Sequence, residues 1–456
     1  MARILYHGIG PEQPTGYGVQ TKLFTTALAK AGHEVIISNF NSNFGYTAEN
    51  GLRVVANGAR SKYGNAMIRE HVKRIQPDLV LTMFDIFICK GKEYQDLPWV
   101  AWNVIDCAPL HPQLKAITKV PKMLLAMSKF GQVTMANAGH ASEYVPLAID
   151  PKEYCFMDQQ MARALLMKEY GKRIPEFFVV MVAANMSFPS RKNFHGAFKA
   201  WKLWTEAHPG KGLMYVHTEV TGTQGQGENL VEMADMCGMN PDILVFPDQY
   251  RYNQSGYSAD YMKTLYAAAD VLLCPSLGEG FCVPLVEAQC VGCPVIAPNA
   301  TSTAELIDDA TGIALVDLWP VAARGASEQW LPSIREMAGA LEVRGGATRF
   351  KPETREALAQ RYQNQFNVDH VTKTYLQPAL AKALDIVRKS KSVSTKEKVN
   401  ETSGKFSGGK VLERLQAERN RGQAPARHPK GNRQGGWIRR GRCPPCRHSQ
   451  QISTLA

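Results

Sequence analysis

One pattern occurs twice along this chain of 456 residues: a short, almost wholly apolar run, then a stretch long enough for one helix, then another apolar run. Runs such as FFVVMVA suit strands buried on both faces, which a parallel sheet covered by helices on both sides provides. In the first set the runs fall at 3–7, 34–38, 79–83, 99–104 and 124–127, with helical spacing over 21–31 and 65–75. In the second, strands are expected at 177–183, 213–217, 243–246, 271–274 and 295–297. Helices are expected there over 194–207, 228–236, 259–269 and 284–291. The chain therefore reads as α/β, with two Rossmann-like doubly wound halves at 1–150 and 151–352. The stretch YVPLAIDPKEY (144–154), with its two prolines, connects them. Residues 353–387 read as two closing helices.

Charge separates this body from the C-terminal segment. Residues 388–456 hold 17 Lys and Arg against 4 Asp and Glu, whereas residues 1–387 hold 36 against 37. The body is close to neutral at −1, and the tail at +13 accounts for the chain's net +12. A Lys/Ser/Gly/Arg-rich segment cannot bury enough apolar area to offset its ordering entropy, so 388–456 is expected to be a mostly disordered basic tail. Such a tail is expected to touch polyanions or anionic membrane. No stretch approaches the ~20 apolar residues of a spanning helix, and the opening MARILYHGIG lacks the apolar core of a signal peptide. A cytoplasmic location, with peripheral membrane contact through the tail, is the expectation. Most of the ten cysteines lie in apolar runs and read as small buried hydrophobes. Cys443 and Cys446 form a CxxC with only His448 nearby, which lacks a second ligand pair for zinc and reads as two free thiols.

The densest chemical signal is PSLGEGFCVPLVEAQCVGCPVIAP (275–298). A strand ends in the loop SLGEGF and a helix begins near Pro284, a residue suited to the first helical turn. Gly278 and Gly280 flank Glu279 and allow a close backbone approach, while the helix N-terminus offers free N–H groups and a positive dipole end to an anion. Glu287 follows eight positions after Glu279. Two placed carboxylates beside a phosphate-binding turn suit a sugar nucleotide, although an ordinary turn with solvated glutamates would carry many of the same residues.

The complete string resembles the donor-site signature of family-4 glycosyltransferases with the GT-B fold, departing from it at Cys282, where a glycine is common. The resemblance implies that Gly280, Phe281, Cys282, Val283 and Glu287 bind the donor and that Glu279 acts at its sugar. MSFPSRKNF (186–194) is similar to the family's basic loop, which implies that Arg191 and Lys192 contact the pyrophosphate. The family's usual Arg directly after the preceding strand is replaced by Ala184 and Asn185. TGYG (15–18) resembles the glycine loop that approaches the donor from the other half, through Gly16 and Gly18. SKFGQ and YVPLAID are further landmarks, and Asp106 in NVID lies where acceptor-facing residues are expected.

The activity so implied is retaining transfer of a sugar from a nucleoside-diphosphate sugar to an acceptor hydroxyl, by a front-face reaction. The chain contains no Asp-x-Asp motif, so neither a metal nor an organic cofactor is expected. Arg191, Lys192 and the helix N-terminus would stabilise the leaving pyrophosphate. The acceptor could be a glycan, a lipid-linked glycan or a modified nucleic-acid base. An epimerase or a non-catalytic sugar-nucleotide-binding protein of the same fold are the alternatives.

Overall fold

A run as nearly apolar as Leu79–Met83 (LVLTM) is best buried in the middle of a sheet, and that is where the computed structural model has it. The structure describes residues 1–403 apart from 59–62, 90, 172, 223–225, 324 and 346–349, and describes side chains as far as residue 390. Met1–Ser392 form one compact unit that holds both α/β halves.

The strands of the first half are β1 (Arg3–Gly8), β2 (Glu34–Asn39), β3 (Tyr46–Thr47), β4 (Arg53–Ala56), β5 (Leu79–Met83), β6 (Trp99–Asn103), β7 (Met123–Ala126) and β8 (Glu143–Tyr144). They form one sheet in the order β3-β4-β2-β1-β5-β6-β7-β8, parallel except for the β3–β4 pair. The strands of the second half are β9 (Phe177–Val182), β10 (Gly212–His217), β11 (Leu244–Val245), β12 (Val271–Leu273), β13 (Val295–Pro298) and β14 (Ile313–Leu315). These are all parallel, in the order β11-β10-β9-β12-β13-β14. The order in which strands are added reverses beside β9, so the crevice at the carboxyl ends of β9 and β12 is the topological switch point, where open α/β sheets bind ligands.

The predicted strands all form, with ends shifted by at most one residue, and the helix Phe194–Ala207 occupies the expected span. Sequence periodicity missed the hairpin of β15 (Leu318–Ala323) and β16 (Ser327–Pro332). Its strands are mostly exposed or half-buried, with no buried apolar stripe to mark them. The last helix runs Gln377–Ser403, past the boundary expected at 387; residues 404–456, with Cys443 and Cys446, lie outside the described residues.

The connection between halves is tied at both ends. Gln20, buried in the helix Gly16–Lys30, donates to the Ala148 carbonyl at 2.7 Å and accepts from the Ala148 amide at 3.1 Å. The Ile149 amide donates to the Phe366 carbonyl (2.9 Å), and the Val368 amide donates back to the Ile149 carbonyl (3.1 Å). The chain thus returns from the second half to the first through the end of helix Pro352–Phe366. One hydrophobic cluster runs through both halves, from Phe24 and Trp102 to Leu285 and Phe366.

Within the second half, Asp270 anchors the start of β12. It is 7% exposed, and its Oδ2 accepts from the Phe178 amide and from Arg163 Nη2, both at 2.7 Å. Asp270→Ala strands a buried amide and a guanidinium, and is expected to lower unfolding free energy by about 3 kcal/mol in urea titrations followed by circular dichroism. A loss below about 0.5 kcal/mol, the range of an ordinary surface change, would show that this anchor contributes little.

Candidate functional site

Two loops meet at the switch point. The first follows β9 and ends in Ser190-Arg191-Lys192-Asn193 before the helix Phe194–Ala207. Asn193 takes a left-handed φ of 56° and caps that helix, its Oδ1 accepting from the Gly196 amide at 3.1 Å. The second loop, Cys274–Cys282, follows β12 and enters the helix Val283–Cys290, with Pro284 in its first turn. The loops are joined by backbone, the Leu277 amide donating to the Arg191 carbonyl at 2.8 Å.

Glu279 is 5% exposed and sits between two cations. Lys192 Nζ lies 2.5 Å from Oε1 and Arg191 Nη1 lies 2.9 Å from Oε2. Burial pushes the carboxyl up, but the charges of Arg191 and Lys192 outweigh it and hold the group down at about 2. The loop's shape is fixed independently: the Glu279 amide donates to Thr301 Oγ1 (3.0 Å), and Ser302 Oγ donates to the Glu279 carbonyl (2.8 Å). Arg191 also donates to the Gly278 carbonyl at 2.5 Å and reaches Asp106 Oδ2 at 3.6 Å, which links the loop to the first half. Burial works against the Arg191 charge, and the carboxylates of Glu279, Asp106 and Asp85 more than compensate, so it stays a cation.

The flanking glycines have a structural role beyond the one their sequence suggests. A Cβ on Gly278 would stand 2.1 Å from the Asp106 carbonyl, and one on Gly280 would stand 2.2 Å from Val104 Cγ1. What approaches these two positions is the 104–106 segment of the first half, so the glycines set how closely the halves meet here. The missed hairpin completes this contact. The Glu328 amide donates to the Ala108 carbonyl (2.7 Å), Ser327 Oγ donates to the Pro109 carbonyl (2.7 Å), and the Trp330 amide donates to the Leu277 carbonyl (2.8 Å).

Glu287, on the second turn of its helix, lies apart from the cations. Its Oε2 accepts from the Tyr266 hydroxyl at 2.9 Å, and the Tyr154 hydroxyl also bonds to it. Burial raises the carboxyl to about 7, with the two tyrosines working against the shift. Gly16 opens the helix Gly16–Lys30 with free space where a side chain would be. Gly18 is needed locally, since a Cβ there would lie 2.1 Å from the Gln13 carbonyl. Tyr17, between them, donates to Asp85 Oδ2 at 3.2 Å and feels the charges of Arg191 and Asp106. Asp85, after β5, has its carboxyl raised by burial and then by Asp106. Tyr17 lies within the TGYG segment, which marks only its glycines, and Asp85 lies in no motif; the ends of the adjacent parallel strands β1 and β5 bring them here.

The structure thus brings Arg191, Lys192, Glu279, Asp106, Gly278 and Gly280 together. Phe281 departs from its expected part, because its ring is buried 5.9 Å from that of Phe366 and leaves only backbone for a ligand. Cys282 is buried with a φ of 77°, and Val283 is half-buried at the helix start. Asn185, where an Arg was expected, instead clamps a neighbouring loop, donating to the carbonyls of Glu219 (3.0 Å) and Glu228 (2.7 Å).

Residues 178–326, which contain both loops, match the family model described as glycosyl transferases group 1. The second half is a group 1 glycosyltransferase domain. A D-inositol 3-phosphate glycosyltransferase of Segniliparus rotundus is 28% identical over 219 residues, covering 46% of this chain and 44% of the relative. The chain thus matches less than half the length of that curated relative. Sucrose-phosphate synthase of Thermosynechococcus elongatus superposes with a TM-score of 0.62 at 15% identity, covering 87% of this chain and all of that one. The Anabaena Alr3699/HepE complex with UDP-glucose superposes at 0.61 and 15% identity, covering 84% of this chain and all of that one. The fold around the group 1 domain is therefore the two-domain GT-B arrangement.

The Glu287 environment sets a pH dependence. A carboxyl that keeps its proton to about 7 when folded, against 4.5 ordinarily, stabilises the fold fully below 4.5 and loses that contribution as pH rises toward 7. Discounted for partial exposure, the loss is expected to be about 1–2 kcal/mol between pH 4.5 and 7.5. Glu287→Gln should lack it, so urea midpoints of the two proteins should diverge with pH; parallel profiles would show that Glu287 titrates normally.

Proposed function

We propose that this chain is a glycosyltransferase that moves a sugar from a nucleoside-diphosphate sugar to an acceptor hydroxyl, with retention at the anomeric carbon and with no metal or organic cofactor. The observation that carries this reading is the pairing of one buried carboxylate with two cations at a helix N-terminus, on the switch-point crevice of a group 1 domain. Lys192, Arg191 and Glu279 together carry a charge of +1, and the free N–H groups of helix Val283–Cys290 add a partial positive charge. That is the polarity a leaving pyrophosphate needs, in a site already folded around it. In this reading the phosphates draw Lys192 and Arg191 partly away from Glu279, which then accepts from a sugar hydroxyl and holds the reacting carbon. Glu287 accepts from the ribose hydroxyls.

On the other side of the crevice, Asp106 and Asp85 present carboxylates rather than cations. Carboxylates favour hydroxyl-bearing acceptors over phosphate-bearing ones, which supports a glycan acceptor above a nucleic acid. The basic tail, in this reading, holds the enzyme near an anionic surface through charge alone.

A panel of labelled nucleoside-diphosphate sugars, followed for hydrolysis and binding, tests the proposal; no binding to any member would overturn it. Glu287→Ala should weaken affinity for the accepted donor about tenfold by calorimetry, the loss of one or two hydrogen bonds to a charged group. Glu279→Gln should cut turnover about a hundredfold while changing donor affinity much less, as expected of a contact that matters most in the transition state. Equal losses in both parameters for both variants would remove the distinction between the two carboxylates.

With Arg191 and Lys192 as the fixed cations, activity should survive excess EDTA. An activity that vanished with chelator and returned with Mg²⁺ or Mn²⁺ would contradict that part of the reading.

A further inference from the structure

Two thiols bracket the Glu279 loop. Cys274 directly follows β12 and Cys282 precedes the helix Val283–Cys290. Their Sγ atoms are 3.5 Å apart, both residues are buried (7% and 9% exposed), and neither is in a disulfide. The two sulfurs and a Glu279 carboxylate oxygen all lie within 4.8 Å of one another. We propose that Cys274, Cys282 and Glu279 form a binding site for a thiophilic divalent cation such as Zn²⁺ or Cd²⁺, and that its occupancy blocks the donor loop.

Distances favour a metal over a disulfide. A tetrahedral ion with metal–sulfur bonds of about 2.3 Å sets its sulfurs about 3.8 Å apart, close to the spacing here. A disulfide needs about 2.05 Å, so the sulfurs would have to close by about 1.5 Å. Both ends resist that movement. The Cys274 amide is tied to the Ile296 carbonyl at 2.9 Å, and Cys282 is held at the helix entry with φ 77°. Two soft sulfur ligands also select against Mg²⁺ and Mn²⁺.

Charge balances on loading. Each thiol loses its proton as the metal enters, so a divalent ion replaces two protons and the local charge is unchanged. The carboxylate must exchange partners, however. Oε1 is held by Lys192 at 2.5 Å and Oε2 by Arg191 at 2.9 Å, so coordination through either oxygen displaces one of these cations. Metal binding therefore fixes Glu279 away from a sugar. The inhibitory half of the proposal rests on the donor site proposed above; the binding half rests on the thiol geometry alone.

The test uses the full-length chain carrying Cys443→Ser and Cys446→Ser, so that the tail CxxC cannot compete. Cd²⁺ is titrated while the ultraviolet thiolate-to-cadmium absorption is followed. The expected result is one equivalent bound per chain, with affinity reduced about thirtyfold or more by Cys274→Ser and about tenfold by Glu279→Gln, as loss of a direct ligand should do. Cys282→Ala is the second variant if Cys274→Ser fails to fold by circular dichroism. Saturating Cd²⁺ should also lower turnover of the accepted nucleotide sugar about a hundredfold, as Glu279→Gln does, and a chelator should restore it. Absent cadmium absorption, or absorption undiminished in the thiol variants, overturns the site. Turnover unaffected by bound Cd²⁺ overturns the blocking. A metal-free chain that binds no nucleotide sugar would instead count against the proposed function, and the cadmium absorption would still decide the site.

Discussion

The arrangement of the crevice depends on one buried carboxylate held between two cations. Ionised Glu279 would be costly to bury alone, and a lone Lys192 or Arg191 in its place would be costly too. Together they offset one another well enough that the carboxyl sits at about 2 despite near-complete burial. The triad joins the loop after β9 to the loop after β12, two strands adjacent in the sheet but separated by nearly a hundred residues. Arg191 extends it across the crevice to Asp106, so that charges alternate from the second half of the chain into the first.

Charge pairing of that kind works only if backbones can come close. Gly278 and Gly280 allow it, with the Asp106 carbonyl and Val104 occupying the space side chains would need. The β15–β16 hairpin then bonds to both sides, to Ala108 and Pro109 in the first half and to Leu277 in the second. The closing helices contribute from the opposite end, where Phe366 and Val368 pair with Ile149. The relation between the halves is therefore held at the crevice by polar contacts and behind it by a shared apolar cluster.

Glu279 and Glu287 show how environment divides the work of one residue type. They are eight positions apart and flank the same helix start, yet one carboxyl is held near 2 and the other raised to about 7. The difference is in the partners: two full charges in one case, two neutral tyrosine hydroxyls in the other. Glu279 is thereby kept as a permanent charge and Glu287 as a hydrogen-bonding group near its titration point.

The sequence by itself determined the central strands of both halves, though not β3, β4, β8 and β14 at or next to the sheet edges, because runs such as FFVVMVA and LVLTM are stable only inside a parallel sheet. It also marked the two loops that meet at the switch point, since glycines, paired carboxylates and an Arg-Lys pair at strand ends are dense enough to read locally. Other features had no local mark. Nothing local marks the Asp85 carboxylate or pairs it with the Tyr17 hydroxyl, the hairpin strands alternate only weakly, and the two thiols look like ordinary apolar cysteines until their sulfurs meet at 3.5 Å. Only the tertiary structure decided those contacts, and it also decided that Gly278 and Gly280 face protein backbone and side chain of the first half and that Phe281 faces the core. The physical reason is range. Hydrophobic periodicity and turn chemistry act between neighbours in sequence, whereas charge pairing, desolvation and steric closeness depend on which strand ends the sheet order makes adjacent.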